Sequence, residues 1–242
     1  MTSITILQSA ANFRPDWVSR CMRSVAVWSQ RQGYHYHCIG DELFDWVTPE
    51  LRTKLHDRTP ILADLARLRW IESELATRGG LVVWVDADTL VIDPSWRVPD
   101  SEHTFFGEES WVQPTAERSW RAYQSPHNAF MGFTAASPVL GFLAYLSESI
   151  IERADEAHIA PQMVGPKLLK ALNNLAQFTL VPEAGAVSPE LLAEWVGEAG
   201  PATACYRRAT RVPLALVNLC SSLTHSEEAV RRVEQFLPRH GA

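Results

Sequence analysis

The chain lacks the cysteine pattern of a zinc module or a disulfide scaffold. Its four cysteines, Cys21, Cys38, Cys205 and Cys220, form no Cys-x-x-Cys pair, and their spacings match no zinc pattern. They read as free thiols of a reducing compartment. A long apolar run is also missing, so no segment is expected to span a bilayer. The start, Met-Thr-Ser-Ile-Thr-Ile-Leu-Gln8, has no basic region followed by an apolar stretch, so no secretory signal is expected there. The expected location is the cytoplasm. Positive charge is scarce: 22 Lys and Arg stand against 28 Asp and Glu, a formal charge of −6. This argues against a general nucleic-acid binder, because phosphate backbones are met by clustered Lys and Arg. It leaves room for one nucleotide in a pocket where a metal supplies the local positive charge. Neither an internal repeat nor a low-complexity tract is present.

What is present suits one α/β domain. The 242 residues include 46% apolar and 21% charged, enough for a sizeable core and unlike a disordered chain. Ile4–Gln8 reads as a short strand. Pro15 and Asp16 open a helix in which Trp17, Val18, Cys21, Met22, Val25 and Trp28 recur every three or four positions, and Gly33 ends it. Tyr34–Ile39 reads as a second strand, so the unit implies a parallel pair with a right-handed crossover. Residues 41–60 are polar and mixed and read as a connection. Pro60 opens a helix with a buried stripe of Ile61, Leu62, Leu65, Leu68, Ile71 and Leu75, stopped by Gly79-Gly80. Leu81–Val85 is a continuous apolar run, as expected of a central strand covered on both faces. Further along, His103–Gly107 and Ala129–Phe133 read as strands, Ser110–Pro126 as a long loop, and Pro138–Arg153 and Lys167–Leu175 as helices. Leu214–Leu219 reads as a strand, and Ser226 as the cap of a last helix. Nine Trp is a high number. Trp96, Trp111 and Trp120 fall in expected loops, where they line a sugar-binding cleft or pack beneath the loops.

Charge begins abruptly at Asp86, the carboxyl end of an apolar strand, where open α/β sheets bind ligands. Asp86 and Asp88 are spaced i, i+2 where the backbone turns, so both can approach one cation. Hard oxygen ligands suit Mg²⁺ or Mn²⁺. Alone, an Asp-x-Asp is a weak motif that also serves turns and caps. Carboxylates directly after five apolar residues are costly unless compensated. Asp64 and Arg67 share a face of the preceding helix. By themselves they read as an exposed ion pair of little worth.

The run Ile61-Leu-Ala-Asp64-Leu-Ala-Arg67, then Gly79-Gly80, then Trp84-Val85-Asp86-Ala-Asp88-Thr-Leu90 resembles nucleotide-sugar glycosyltransferases of the GT-A fold. It is similar to the DxD families that include capsular-polysaccharide, yeast mannosyl and toxin glucosyl enzymes. The match covers about thirty residues well. His127-Asn128-Ala-Phe-Met-Gly-Phe133 resembles the strand that floors their sugar site. Gly165-Pro166 resembles the turn that opens a later helix, and His225 the late metal-binding His. The chain departs from the pattern in a longer strand before the acidic pair and in having no aromatic-rich His motif around Leu219–His225. The resemblance implies a Rossmann-like, mostly parallel sheet with flanking helices, formed by residues 1–242 as one domain. Residues 1–100 would be its nucleotide-binding half and 101–242 its acceptor-binding half. It implies that Asp64 and Arg67 face the nucleoside or donor sugar, that Asp86 contacts ribose or metal, and that Asp88 and His225 ligate Mn²⁺ or Mg²⁺. Gln8, Ser9, Ala10 and Asn12 after the first strand and Asp41 after the second would border the nucleotide. The same positions also suit ordinary turn chemistry. Asn128 would hydrogen-bond sugar hydroxyls. Glu109, with Glu108 beside it, is a candidate acceptor-side base. His35 and His37 lack a third ligand and read as structural.

The implied reaction moves a hexose from a nucleotide-diphosphate sugar, UDP-sugar ahead of GDP-sugar, to a hydroxyl of a glycan, glycolipid or protein. Acceptors on lipid carriers would be reached by surface contact. Two other readings compete. A haloacid-dehalogenase-type phosphatase also places acidic residues after a strand, but it wants Asp-x-Asp-x-Thr near the N-terminus, whereas Thr89 follows Asp88 directly. A non-catalytic sugar- or partner-binding protein on the same fold is the other.

Overall fold

Local signals set the first hundred residues. In the computed structural model, which describes residues 2–155, 159–160, 162–210, 212–220 and 227–240, the chain opens with β1 (Ile4–Ser9), α1 (Asp16–Gln32) and β2 (His35–Ile39). Gly33 ends α1 at φ 74°, a left-handed conformation that glycine adopts without steric cost. A 3-10 helix (Asp41–Trp46) and α2 (Pro49–Lys54) lead to α3 (Thr59–Arg78). The stretch 41–60, expected as a plain connection, is thus partly helical. Its Leu43, Val47, Leu51 and Leu55 recur every fourth residue and are buried in the core cluster shared with α3, a helical spacing that the polar residues between them masked.

Gly79 and Gly80, at φ 65° and 73°, turn the chain from α3 into β3 (Leu81–Val85). A side chain at Gly80 would collide with the Ser3 carbonyl, so the glycine permits close approach as well as the turn. All five residues of β3 are buried. β4 (Thr89–Val91), β5 (Thr104–Pro114), β6 (Trp120–Thr134), α4 (Leu140–Arg153), α5 (Pro166–Ala176), β7 (Leu180–Val187), α6 (Pro189–Val196), α7 (Pro201–Ala209), β8 (Leu216–Asn218) and α8 (Glu227–His240) follow. β4, β7, α6 and α7 are additions to the expected elements. The expected cap Ser226 lies outside the described residues.

The eight strands form one sheet in the order β2-β1-β3-β6-β5-β7-β8-β4. The ladders β1–β2, β1–β3, β5–β7 and β7–β8 are parallel, and β3–β6, β5–β6 and β4–β8 antiparallel. The expected α/β architecture, a mostly parallel sheet flanked by helices, is therefore the one observed. The expected loop Ser110–Pro126 is instead a hairpin in which β5 and β6 pair from Gly107↔His127 out to Pro114↔Trp120. Its two faces differ little in polarity, so the alternation that marks a strand is faint.

β4 starts directly after the acidic turn that ends β3, yet it lies at the far edge of the sheet, five places away. A flat sheet would separate them by about 24 Å. The few intervening residues reach about 14 Å. The sheet must therefore curl, and the turn Asp86–Asp88 joins β3 in its interior to β4 at its edge. Apolar side chains fill both sides: Ile61, Leu65, Trp70 and Leu143 from α3 and α4 pack with Trp84 and Met131 on one side. Val25 and Trp28 of α1 pack with Val83 and Phe130 on the other.

Candidate functional site at the acidic turn

The turn is anchored by its backbone. Asp86 N–H donates to the Ala129 carbonyl at 2.8 Å, Thr89 N–H to the Asp86 carbonyl at 3.0 Å, and Leu219 N–H to the Asp88 carbonyl at 3.1 Å. β3, β6 and β8 thus meet at these three residues.

Asp86 turns towards α3. Arg67 Nη1 donates to Asp86 Oδ1 at 2.9 Å, and Trp84 Nε1 reaches the same oxygen at 2.5 Å. The Arg67 guanidinium lies over the Trp84 ring, 5.0 Å from its centre, a cation–π contact. Arg67 also donates to the Asn128 carbonyl at 3.0 Å and pairs with Asp64 Oδ1 at 3.1 Å. Asn128 Nδ2 donates to that Asp64 oxygen at 2.7 Å. The Asp64 and Arg67 side chains are only 8% and 9% exposed. They are therefore a buried pair, not the exposed one that a helix-surface reading suggests. Burial pushes the Asp64 carboxyl up to about 6, against the pull of Arg67 and with help from Asp86. Gly165 packs against this network, and a side chain there would strike Asp64 Oδ2 and Asn128 Nδ2. A small cleft follows, lined by Asp64, Arg67, Asn128 and Gly165 over an apolar floor of Leu68 and Met131.

Asp88 is buried and turns to a different partner, for Asn218 Nδ2 donates to its Oδ1 at 2.6 Å. Asn218 and Trp84 are the functional neighbours that sequence reasoning missed. Asn218 had a signal: a polar residue within the apolar run Leu214–Leu219 needs a partner if buried. Trp84 had none, since an aromatic in a buried strand reads as core.

The other expected residues distribute unevenly. Gln8 is fully buried; its Nε2 donates to the Asp86 carbonyl at 3.1 Å and its Oε1 accepts from Tyr36 Oη at 2.8 Å. It reaches the site through the turn's backbone. Ser9 Oγ donates to the Gly40 carbonyl at 3.0 Å. Asp41 is exposed at the start of the 3-10 helix. Asn12 lies beside Gly40. Glu108 and Glu109 sit on opposite faces of β5. Gln124 Nε2 donates to Glu108 at 3.0 Å, and Ser125 Oγ donates to Glu109 at 3.1 Å. Burial raises the Glu109 carboxyl above its usual range, with Ser125 and Lys170 of α5 opposing. His37 packs edge-on against Trp70 and lies 3.1 Å from Glu74, in keeping with a structural role. Trp96 stacks on Trp28 and meets Phe130, and Trp120 packs against the α6–α8 core. Both are half-buried against the core. His225 lies outside the described residues.

Among the described residues, no group of three or more His, Cys, Asp or Glu side chains gathers as a metal cage. Two carboxylates alone still suit a hard cation whose remaining ligands are phosphate and water oxygens. Asp86 fits this: its side chain is 25% exposed and both of its donors fall on Oδ1. The network also sets two carboxylates, Asp64 and Asp86, against the Arg67 guanidinium, so a cation beside Asp86 would help to balance the charge. Among the described residues no helix is long and apolar enough to cross a membrane.

No known sequence family matches the chain, and no curated protein sequence matches it. Its fold does have a solved counterpart, a glycosyltransferase involved in the glycosylation of the major capsid of PBCV-1. The two superpose with a TM-score of 0.50 at 12% identity, over 97% of this chain and 98% of the other. At that identity the likeness is one of fold.

Proposed function

We propose that this chain is a metal-dependent glycosyltransferase of the GT-A type. It would move a hexose from a nucleotide-diphosphate sugar, UDP-sugar ahead of GDP-sugar, to a hydroxyl acceptor on a glycan or glycolipid. The observation that carries the proposal is the buried Asp64–Arg67–Asp86–Asn128 network behind a partly exposed acidic turn. The fold shared with a glycosyltransferase supports it. A purely structural ion network has no need to leave Asp86 facing solvent at a strand's carboxyl end.

Asp86 and Asp88 would hold Mn²⁺ or Mg²⁺. Such an ion, when bound, supplies Lewis-acid neutralisation of the charge that builds on a departing diphosphate. Arg67 and Trp84 hold Asp86 by one oxygen, and Asn218 holds Asp88, so each carboxylate has little freedom to lose when donor arrives. Asp64 and Asn128 present oxygen and nitrogen partners for sugar hydroxyls beside them. In a single displacement, the acceptor hydroxyl loses its proton to Glu109. Its oxygen bonds to the anomeric carbon as the bond from that carbon to the diphosphate oxygen breaks, and the diphosphate leaves with the electron pair. A carboxylate raised by burial is a better base than a solvated one.

Melting curves with Mn²⁺ plus UDP, Mn²⁺ plus GDP and Mn²⁺ alone test the reading. A ligand that binds only the folded state raises the melting temperature. The largest rise is expected with UDP, and a screen of nucleotide-sugar hydrolysis then identifies the donor. No shift with either nucleotide overturns the proposal.

A further inference from the structure

The outer part of the β5–β6 hairpin carries an unusual face. Register pairs Glu109 with Ser125, Trp111 with Tyr123 and Gln113 with Arg121, without a bulge between them. Alternation along a strand therefore puts these six on one face. Val112, Ala122 and Trp120, on the opposite face, pack into the core formed with α6, α7 and α8. Among the described residues the first face is less covered at its outer end: Tyr123 is 38% exposed, Arg121 is exposed, and Trp111 and Gln113 are half-buried.

The side chains on this face are held in place. The Arg121 guanidinium lies over the Tyr123 ring, 5.2 Å from its centre. Trp111 Nε1 donates to Gln113 Oε1 at 3.2 Å. Two aromatic residues directly opposite each other on a ribbon, with an amide beside one and a guanidinium over the other, form an amphipathic surface. Rings of this kind cover apolar C–H area with little loss of side-chain freedom, and the flanking groups serve hydroxyls.

The same face leads to the candidate site. Gly165, which precedes α5, packs on Asp64 and Asn128, and Lys170 of α5 acts on Glu109. Ser125, the partner of Glu109, precedes Asn128 on β6 by about 10 Å of strand. The stretch from Glu109 to Gln113 adds about 13 Å, longer than one sugar ring.

We infer that the Trp111–Tyr123–Gln113–Arg121 face is a platform for an oligosaccharide acceptor, which it lays along the hairpin with its reactive hydroxyl at Glu109. The link to Glu109 rests on the transferase reading; the binding of glycan to the platform does not. Native gels cast with soluble glucan, mannan or galactan test it on the intact protein without donor. At least one polysaccharide is expected to retard the wild type. Trp111→Ala and Tyr123→Ala should each weaken that retardation about tenfold, the worth of one stacked ring. Trp111→Phe, which keeps a ring, should recover most of it and separates lost stacking from lost folding. Retardation by none of the three polysaccharides, or retardation unchanged in both alanine variants, overturns the inference. The nucleotide-dependent melting shift of the wild type is a separate readout. Its absence, with retardation present and ring-dependent, would remove the transferase reading and leave the platform standing.

Discussion

Replacing Arg67 by Met tests whether the site rests on a buried ion network. The substitution keeps an unbranched apolar stem and removes the guanidinium that meets Asp64, Asp86, the Asn128 carbonyl and the Trp84 ring. Removing one partner of a buried pair typically costs about 3–5 kcal/mol, because the other charge is left uncompensated. The cost here should fall mainly on Asp64, which is as buried as Arg67, and less on the partly exposed Asp86. Asp64 already has its carboxyl pushed up to about 6 by burial, from an ordinary value of 3.8, with Arg67 restraining it. An acid whose folded value is raised binds its proton more tightly in the native state. Stability from this group therefore falls as pH rises from about 4 through 6. Without Arg67 the carboxyl rises further, so the penalty of the variant should be largest at pH 7 and smaller at pH 5, where Asp64 can protonate. Urea unfolding at both pH values measures this, with m-values checked for constancy. Adding Asp64→Asn to Arg67→Met should recover part of the loss at pH 7, since no buried charge then remains at that position. A cost below about 1 kcal/mol, the range of exposed pairs, with no pH dependence would refute the reasoning.

Other outcomes follow from the same geometry. Asp88→Asn should lower turnover of the nucleotide sugar by about 10²–10³-fold, the scale of losing one electrostatic contact to developing charge. Its melting temperature should stay close to wild type, and unchanged turnover would remove Asp88 from the mechanism. Glu109→Gln should lower transfer by about 10²–10⁴-fold, and the acid limb of the wild-type rate profile should lie above the ordinary Glu range because burial raises that carboxyl. His127 is buried, with its pKa lowered from 6.5 to about 4 by burial, and lies 3.0 Å from the Ala184 carbonyl through Nε2. The unfolded state takes up this proton first, so wild type should lose up to about 3 kcal/mol relative to His127→Gln between pH 7 and 4. Equal pH dependence of unfolding in the two proteins would show that His127 is not buried neutral.

Local sequence was enough for α1, α3, β1, β2 and β3. The two helices have a regular apolar period with a proline at the start and a glycine at the end, β1 and β3 are short apolar runs, and β2 lies between Gly33 and Gly40; such signals act over a few residues whatever the rest of the chain does. The abrupt change from Val85 to Asp86 marked the strand's carboxyl end, which is where the acidic turn stands. Beyond that, distance along the chain limited what was legible. Asp64 and Asn128 are 64 residues apart, and Asp88 and Asn218 130 apart. Nothing in the local pattern states that these pairs meet. Helix periodicity put Asp64 and Arg67 on a common face, but only the curl of the sheet and the placement of α5 turned that face inward. That burial changes an ion pair of little consequence into one that fixes Asp86. The hairpin was hidden because its outer part is packed on one face and amphipathic on the other, so hydrophobic alternation does not announce it. Tertiary packing alone laid the half-buried Trp96 and Trp120 against the core and put Trp111 on the opposite face of the hairpin from Trp120. The sequence by itself determined that carboxylates stand at the end of a buried strand. Tertiary structure decided which neighbours hold each one and which side of Asp86 faces solvent, because only chain closure brings those neighbours within hydrogen-bonding reach.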